Sequence, residues 1–96
     1  MSASAAHAVA KFRLGHIVAT PNALESITQD DILTAIGRHQ SGDWGDVCAE
    51  DRQANDQALV QRTRIFSVYH AANATKFWLI TEADRSVTTV LLPEDY

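Results

Sequence analysis

A charged turn near the end of the chain carries residues whose types and spacing could do chemistry. Glu82, Asp84 and Arg85 separate the apolar runs KFWLIT and SVTTVLL. An Arg guanidinium can bind a carboxylate or a phosphate through two parallel hydrogen bonds, so Arg85 could hold a neighbouring acid or a group of a partner. An exposed ion pair contributes only about 0–1 kcal/mol, so we expect a role in recognition and little loss of stability in Arg85→Glu.

The same turn allows an enzymatic interpretation. Glu82 or Asp84 would serve as a general base, and Arg85 would hold an anionic substrate. A third interpretation is that the charged turn only keeps the edge of a sheet soluble.

A second candidate is the loop GDWGD, in which Trp44 lies between two acids. A Trp in such a loop either fills the edge of the core or anchors a partner, and both interpretations remain open. Its neighbouring acids can cap backbone N–H groups or add to a recognition surface. The sequence thus predicts a partner-binding patch drawn from the loop and the turn: Asp43, Trp44, Asp46, Glu82, Asp84 and Arg85.

Residues that bind metals or act as nucleophiles are few and scattered. The four histidines form no pair at helical spacing and Cys48 is the single cysteine, so the sequence predicts no metal site. No glycine-rich phosphate-binding loop is present, and we expect no cofactor. Cys48 and His39 could form a nucleophile pair, but Cys48 stands where a helix begins, and burial as a small apolar residue is the simpler expectation.

The charge of the chain limits the class of partner. Its 96 residues carry a formal net charge of -4. Binding to a nucleic-acid backbone depends on clustered Lys and Arg, so we expect no direct nucleic-acid binding and favour a basic protein partner. No apolar run approaches the roughly 20 residues of a membrane-spanning helix, and a basic signal region is missing at the start. We therefore expect no membrane contact and a cytoplasmic location.

The order of apolar patterns predicts an α+β fold. Residues 1–10 resemble a disordered tail, and residues 11–96 suit one domain. A β-rich run before Pro21 predicts a first strand, Thr20 and Thr28 are typical helix caps, and Gly42 ends the main helix. A further helix is expected at about residues 49–61. Three strand-like runs with short connections follow, so the predicted order is β-α-α-β-β-β, with a C-terminal antiparallel meander covered on one face by helices.

Side-chain alternation in the last two strands identifies core candidates. Alternate residues of a strand point to opposite faces of the sheet. The predicted core contains Phe77, Leu79, Val87 and Leu91, with Leu33 and Ile36 of the main helix packed on them.

Several stretches together resemble a known family. They are LGHIVATPNALESI, GDWGD followed by AEDRQANDQAL, and TKFWLITEADRSVTTVLLPEDY. The chain after residue 11 is similar to a family of small uncharacterised proteins of bacterial plasmids, phages and integrative elements. In that family Cys48 stands where relatives often have Asp as a helix cap. The resemblance implies a non-enzymatic mobile-element accessory protein that binds a macromolecular partner, for example an anti-restriction or anti-CRISPR inhibitor.

Overall fold

The predicted α+β architecture is confirmed by a computed structural model, which describes residues 9–96. Its elements in chain order are β1 (His16–Ala19), α1 (Pro21–Ser26), α2 (Gln29–Gln40), α3 (Ala49–Gln61), β2 (Ile65–His70), β3 (Lys76–Thr81), β4 (Val87–Leu91) and a final 3-10 turn (Pro93–Asp95). The first strand is shorter than the predicted run, because residues 11–15 form no regular structure. The tail expected at residues 1–10 lies almost wholly outside the described residues.

The four strands form one mixed sheet in the order β1-β4-β3-β2. The strands β2, β3 and β4 form the predicted antiparallel meander. The expectation of a wholly antiparallel sheet is wrong for β1, which pairs with β4 in parallel. Three helices and two strands separate these partners, a connection long enough for the parallel crossover that a short loop forbids.

Gly15 allows β1 to reach β4. Its φ is 65°, and a Cβ there would overlap the Ser86 carbonyl group. Only glycine avoids that overlap at a positive φ. The backbone then enters β1 with the N–H of His16 donating to the Ser86 carbonyl oxygen at 2.9 Å.

The helix starts follow the predicted capping chemistry. Thr20 Oγ1 accepts a hydrogen bond from the Ala23 N–H at 3.1 Å, and Thr28 Oγ1 accepts one from the Asp31 N–H at 3.2 Å. Cys48 caps α3 in the same way, its Sγ lying 3.5 Å from the Asp51 nitrogen. Cys48 is exposed, so the expectation of burial is wrong. A capping side chain turns back over the first helical turn rather than into the core.

The main core lies between the sheet and the first two helices. Phe77 and Leu79 are buried there as predicted, together with Val90. Val87 and Leu91 lie on the opposite face, because directly paired residues share a face and Leu79 pairs with Val90. Leu91 is nevertheless buried as predicted, whereas Val87 is only partly buried. The alternation was therefore assigned one residue out of step in β4.

Of the two residues of α2 that were predicted to pack in this core, one does so. Ile36 packs against the core, whereas the Leu33 residue is 56% exposed. Leu33 instead lines a surface groove beside β1. α3 packs beside the other edge of the sheet, where Ala58 contributes to a second cluster with Ile65.

Candidate functional site

Arg85 is a structural residue of the turn between β3 and β4. It is only 7% exposed. Its Nη1 donates to the Thr63 carbonyl at 2.7 Å, and its Nη2 donates to the Ala58 carbonyl at 2.9 Å. Weaker bonds reach the carbonyls of Glu82 and Ala83. The guanidinium thus binds no carboxylate of the turn, which was one of the two alternatives from the sequence. It donates to backbone carbonyls, and the Ala58 carbonyl also accepts the Arg62 N–H at 2.8 Å.

The two acids of the turn have separate local roles. Asp84 Oδ1 accepts hydrogen bonds from the Ser86 N–H at 3.0 Å and from Ser86 Oγ at 2.6 Å. These bonds hold the pKa of Asp84 below its ordinary value. Glu82 Oε1 lies 3.3 Å from Arg64 Nη2, which forms an exposed ion pair. Arg64 also donates to the Tyr96 hydroxyl at 2.9 Å. The exposed charge of this turn is thus acidic.

Trp44 fills the core edge beneath the GDWGD loop. It is 1% exposed, and its Nε1 donates to Asp56 Oδ1 at 3.0 Å. Gly45, at φ 75°, follows where a Cβ would overlap the Val68 carbonyl. Of the two interpretations of Trp44, the described structure agrees with the core plug, because a buried indole offers no surface for an anchor.

The acids of this loop are exposed and paired. Asp43 Oδ2 accepts from Arg38 Nε at 2.7 Å, and this hydrogen bond lowers the pKa of Asp43. Asp46 Oδ2 lies 3.1 Å from His70 Nε2, and the hydrogen bond from His70 lowers the pKa of Asp46. Both acids remain on the surface.

The loop and the turn do not form one patch. Asp46 donates its N–H to the Val68 carbonyl, whereas Glu82 directly follows Thr81, which pairs with Ile65. Ile65 and Val68 are three residues apart along β2, or about 10 Å. The carboxylates of the two segments therefore present separate acidic points along this strand.

A buried polar network was missed by the sequence interpretation. His39 on α2 is fully buried, with its ring centroid 5.2 Å from Phe12 and 5.9 Å from Trp44. Its Nδ1 lies 2.6 Å from Ser67 Oγ and its Nε2 lies 2.9 Å from Thr81 Oγ1. Both ring nitrogens are occupied, so His39 has no nitrogen free to activate Cys48.

The direction of this network defines the tautomer of His39. Thr88 Oγ1 donates to the Leu14 carbonyl at 2.7 Å, so it accepts from Thr81 Oγ1, also at 2.7 Å. Thr81 has then given its proton and accepts from Nε2–H of His39, which leaves Nδ1 to accept from the Ser67 hydroxyl. The chain of donors ties α2 to all three strands of the meander and to the segment before β1.

Burial keeps His39 neutral. Desolvation, with a smaller contribution from the positive charge of Arg85, lowers the pKa of His39 to about 3. An imidazole with such a pKa stays in its neutral form near neutral pH. The His39 network is therefore a structural element of the core.

The two edges of the sheet differ sharply. At the β2 edge, Asn55 of α3 accepts from the Phe66 N–H at 3.1 Å and donates to the Phe66 carbonyl at 2.7 Å. The GDWGD loop continues this coverage, since the Val68 N–H donates to the Trp44 carbonyl at 3.1 Å. The Asn55 side chain and the GDWGD loop thus form hydrogen bonds with backbone groups that an edge strand leaves unpaired.

The β1 edge is open. The N–H groups of His16 and Thr20 donate to β4, at the Ser86 and Val90 carbonyls. Because alternate residues of a strand direct their backbone groups to opposite sides, Ile17 and Ala19 direct theirs away from β4. The sheet order places no strand of the described residues on that side.

An apolar groove runs beside this open edge. It encloses about 550 Å³ between β1 and the first two helices. Four large aliphatic side chains that line it are also well exposed: Ile17, Val18, Leu24 and Leu33. Such a concentration is a mark of an interaction surface, whereas single exposed apolar residues are ordinary. Sequence patterning could have found Leu24 and Leu33 as apolar residues on helices, but not their exposure.

The described residues support neither a metal centre nor a membrane span. No group of three or more His, Cys, Asp or Glu side chains in residues 9–96 is placed to hold a metal ion. No helix in this part of the chain has the length and apolar character needed to cross a bilayer.

Comparisons of the chain with protein-family models, with curated proteins and with solved structures found no match.

Proposed function

We propose that the protein is a non-enzymatic accessory protein of a mobile genetic element that acts in the cytoplasm by binding a protein partner. The resemblance of its GDWGD and KFWLITEADRSVTT stretches to proteins of plasmids and phages supports this class. A component of a host restriction or CRISPR system is the kind of partner that such a protein would inhibit. The observation that carries the proposal is the contrast between the closed β2 edge and the open, groove-lined β1 edge.

The partner contributes an extended segment that adds to the sheet beside β1. The outward backbone groups of Ile17 and Ala19 supply the hydrogen bonds, as in other strand-addition complexes. Ile17 shares the helix-covered face with Thr88, to which it is paired, and Val18 lies on the other face. Apolar side chains of the partner that point toward the helices would enter the groove beside Leu24.

Charge favours a basic partner. The chain carries a net charge of -4, and the exposed acids Glu25 and Asp30 directly follow the groove residues Leu24 and Gln29. Basic residues flanking the apolar segment of a partner would be attracted to this rim. Acids outside the groove add to the long-range attraction: the exposed Asp43, Asp46 and Asp84 and the partly exposed Glu82.

Paired valine substitutions test the proposal. Val18 lies at the open edge and is 46% exposed, whereas Val60 on α3 is 84% exposed and lies outside the groove. Val18→Lys and Val60→Lys make the same chemical change, but only the first places a charge on the open edge. The assay is the plating efficiency of a restricted phage on hosts with defined defence systems, with wild type or either variant expressed.

We expect the wild type and Val60→Lys to raise plating efficiency and Val18→Lys to lose at least tenfold of that gain at an unchanged melting temperature. Equal protection by both variants would exclude the β1 edge as the contact surface. A second copy is the other occupant that the edge could take. Sedimentation velocity would identify it, because a wild-type dimer that Val18→Lys converts to a monomer contradicts binding of a separate partner at this edge.

A further inference from the structure

A small cationic cleft lies apart from the β1 groove. It encloses about 260 Å³ between the segment before β1, the end of α3 and the turn between β3 and β4. Four cationic side chains line it, half of the eight Lys and Arg residues of the chain, and the other two lining residues are apolar: Lys11, Phe12, Arg13, Leu59, Arg62 and Arg85. No carboxylate is among the lining residues. In a chain of net charge -4, this concentration of positive charge calls for a physical reason.

The positive charges of the cleft are not neutralised within the described part of the chain. The ion pairs there join Arg38 to Asp43, Arg64 to Glu82 and His70 to Asp46, and none includes a cleft residue. Burial and then the nearby charge of Arg62 lower the pKa of Arg85. Like charges gathered without a counter-charge reduce stability, so this cluster of cationic residues carries an electrostatic cost.

Helix capping explains only part of the cluster. Arg62 is the C-cap of α3, and Arg85 donates to the Ala58 carbonyl. Both residues therefore place positive charge near the negative end of the helix dipole, which stabilises the helix. Capping does not account for Lys11 and Arg13, which belong to a distant segment. Hydrogen bonds to Gln40 hold that segment in place: the Lys11 N–H donates to its carbonyl at 2.9 Å, and the Phe12 carbonyl accepts from its Nε2 at 3.1 Å.

Donor groups remain for a ligand. The Arg85 guanidinium gives hydrogen bonds from Nη1 and from one hydrogen of Nη2. Its Nε–H makes no hydrogen bond among the described residues and its Nη2 donates to one carbonyl only, and Nε and Nη2 lie side by side along one edge of the guanidinium. Such a fork matches two oxygens of one phosphate group.

We propose that this cleft binds the phosphate group of a small phosphorylated molecule. A dianion offsets the uncompensated charges, with Arg85 and Arg62 on one side of it and Arg13 on the other. The Lys11 side chain runs along Gly42, and its ammonium adds to the positive charge near the cleft. The volume lies just below the roughly 300–1,000 Å³ of pockets for drug-sized ligands, which limits the organic part to a small one. Phe12 and Leu59 provide apolar surface for it. The site is independent of the β1 edge and of the proposed partner.

Titration calorimetry with two probes tests the proposal. Inorganic phosphate and ribose 5-phosphate are titrated separately into the wild-type protein at low ionic strength. We expect saturable binding with one site per chain. Tighter binding of ribose 5-phosphate would identify a phosphomonoester as the ligand, and equal binding would identify phosphate itself as the recognised group.

Charge-neutralising variants locate the site. Arg62→Gln and Arg13→Gln remove one exposed charge each from the cleft, and Arg52→Gln makes the same change on the exposed face of α3 outside it. We expect the dissociation constant to rise about tenfold in each cleft variant, since the loss of a charge-assisted hydrogen bond is of that order, and to change less than twofold in Arg52→Gln. Absence of saturable binding for both probes, or an equal loss in Arg52→Gln, would overturn the proposal.

Discussion

Replacement of Arg85 by Ala should destabilise the fold, because the guanidinium joins three parts of the chain. It links the end of α3, the segment before β2 and its own turn through backbone carbonyls. The Ala58 carbonyl belongs to a fully buried residue, so water does not readily replace the lost donor. The Ala58 carbonyl keeps the Arg62 N–H at 2.8 Å, so it is not left unpaired. Hydrogen bonds from a charged donor contribute about 1.5–3 kcal/mol each, and with those to Ala58 and Thr63 lost together we expect a loss of about 2–4 kcal/mol.

The backbone of Arg85 supplies a second, separable contribution. Its φ is 61°, a conformation that side-chain-bearing residues adopt at a cost. Arg85→Gly loses the same hydrogen bonds as Arg85→Ala but relieves this strain. We expect Arg85→Gly to be the more stable of the two variants by about 1 kcal/mol. Arg85→Glu should be less stable than either, because a carboxylate would face carbonyl oxygens, contrary to the expectation from the sequence.

The measurement is urea unfolding followed by far-UV circular dichroism, with the free energy compared at unchanged m-value. Arg64→Ala is the matched control, since it removes an Arg that forms an exposed ion pair with Glu82. We expect the control to lose no more than about 1 kcal/mol. An Arg85→Ala variant as stable as the control would refute the structural role of the guanidinium.

Two further predictions concern the buried aromatic and imidazole groups. Trp44→Ala should lower the free energy of unfolding by about 3–5 kcal/mol. In a Trp78→Phe background, the fluorescence of Trp44 should have its maximum at short wavelength. Red-shifted emission that quenchers can reach would contradict the core position. The pKa of His39 falls to about 3 from its ordinary 6.5, so the unfolded chain takes up this proton first and stability is lost as pH falls from 6.5 toward 3. Nitrogen NMR should show His39 protonated at Nε2 alone from pH 5 to 8, and a His39 midpoint near pH 6 would disprove the buried network.

Much of the fold could be predicted because its causes are local in sequence. Thr20 and Thr28 cap helices through bonds to residues three positions later, which a short window of sequence contains. The three C-terminal strands are joined by loops too short for anything but antiparallel pairing. Alternation located Phe77 in the core, yet it misplaced Val87, because the register across two strands depends on the turn that joins them.

The candidate site was less predictable because its contacts join distant parts of the chain. Arg85 finds its carbonyl on a residue 27 positions away, and His39 finds Thr81 at a separation of 42. A charged residue at a turn and a histidine on a helix carry no local mark of such partners. Their composition and spacing therefore indicated surface recognition for Arg85 and gave no sign of the His39 network.

The sequence by itself determined the α+β class, the helix starts and the meander, since each follows from propensities and spacings within about ten residues. Only the tertiary structure decided which edge of the sheet is open. Asn55 and the GDWGD loop close β2, and β1 joins β4 in parallel with its outer side free. The physical reason is that unpaired backbone groups and exposed aliphatic side chains such as Leu33 become a surface only once every other element has taken its place.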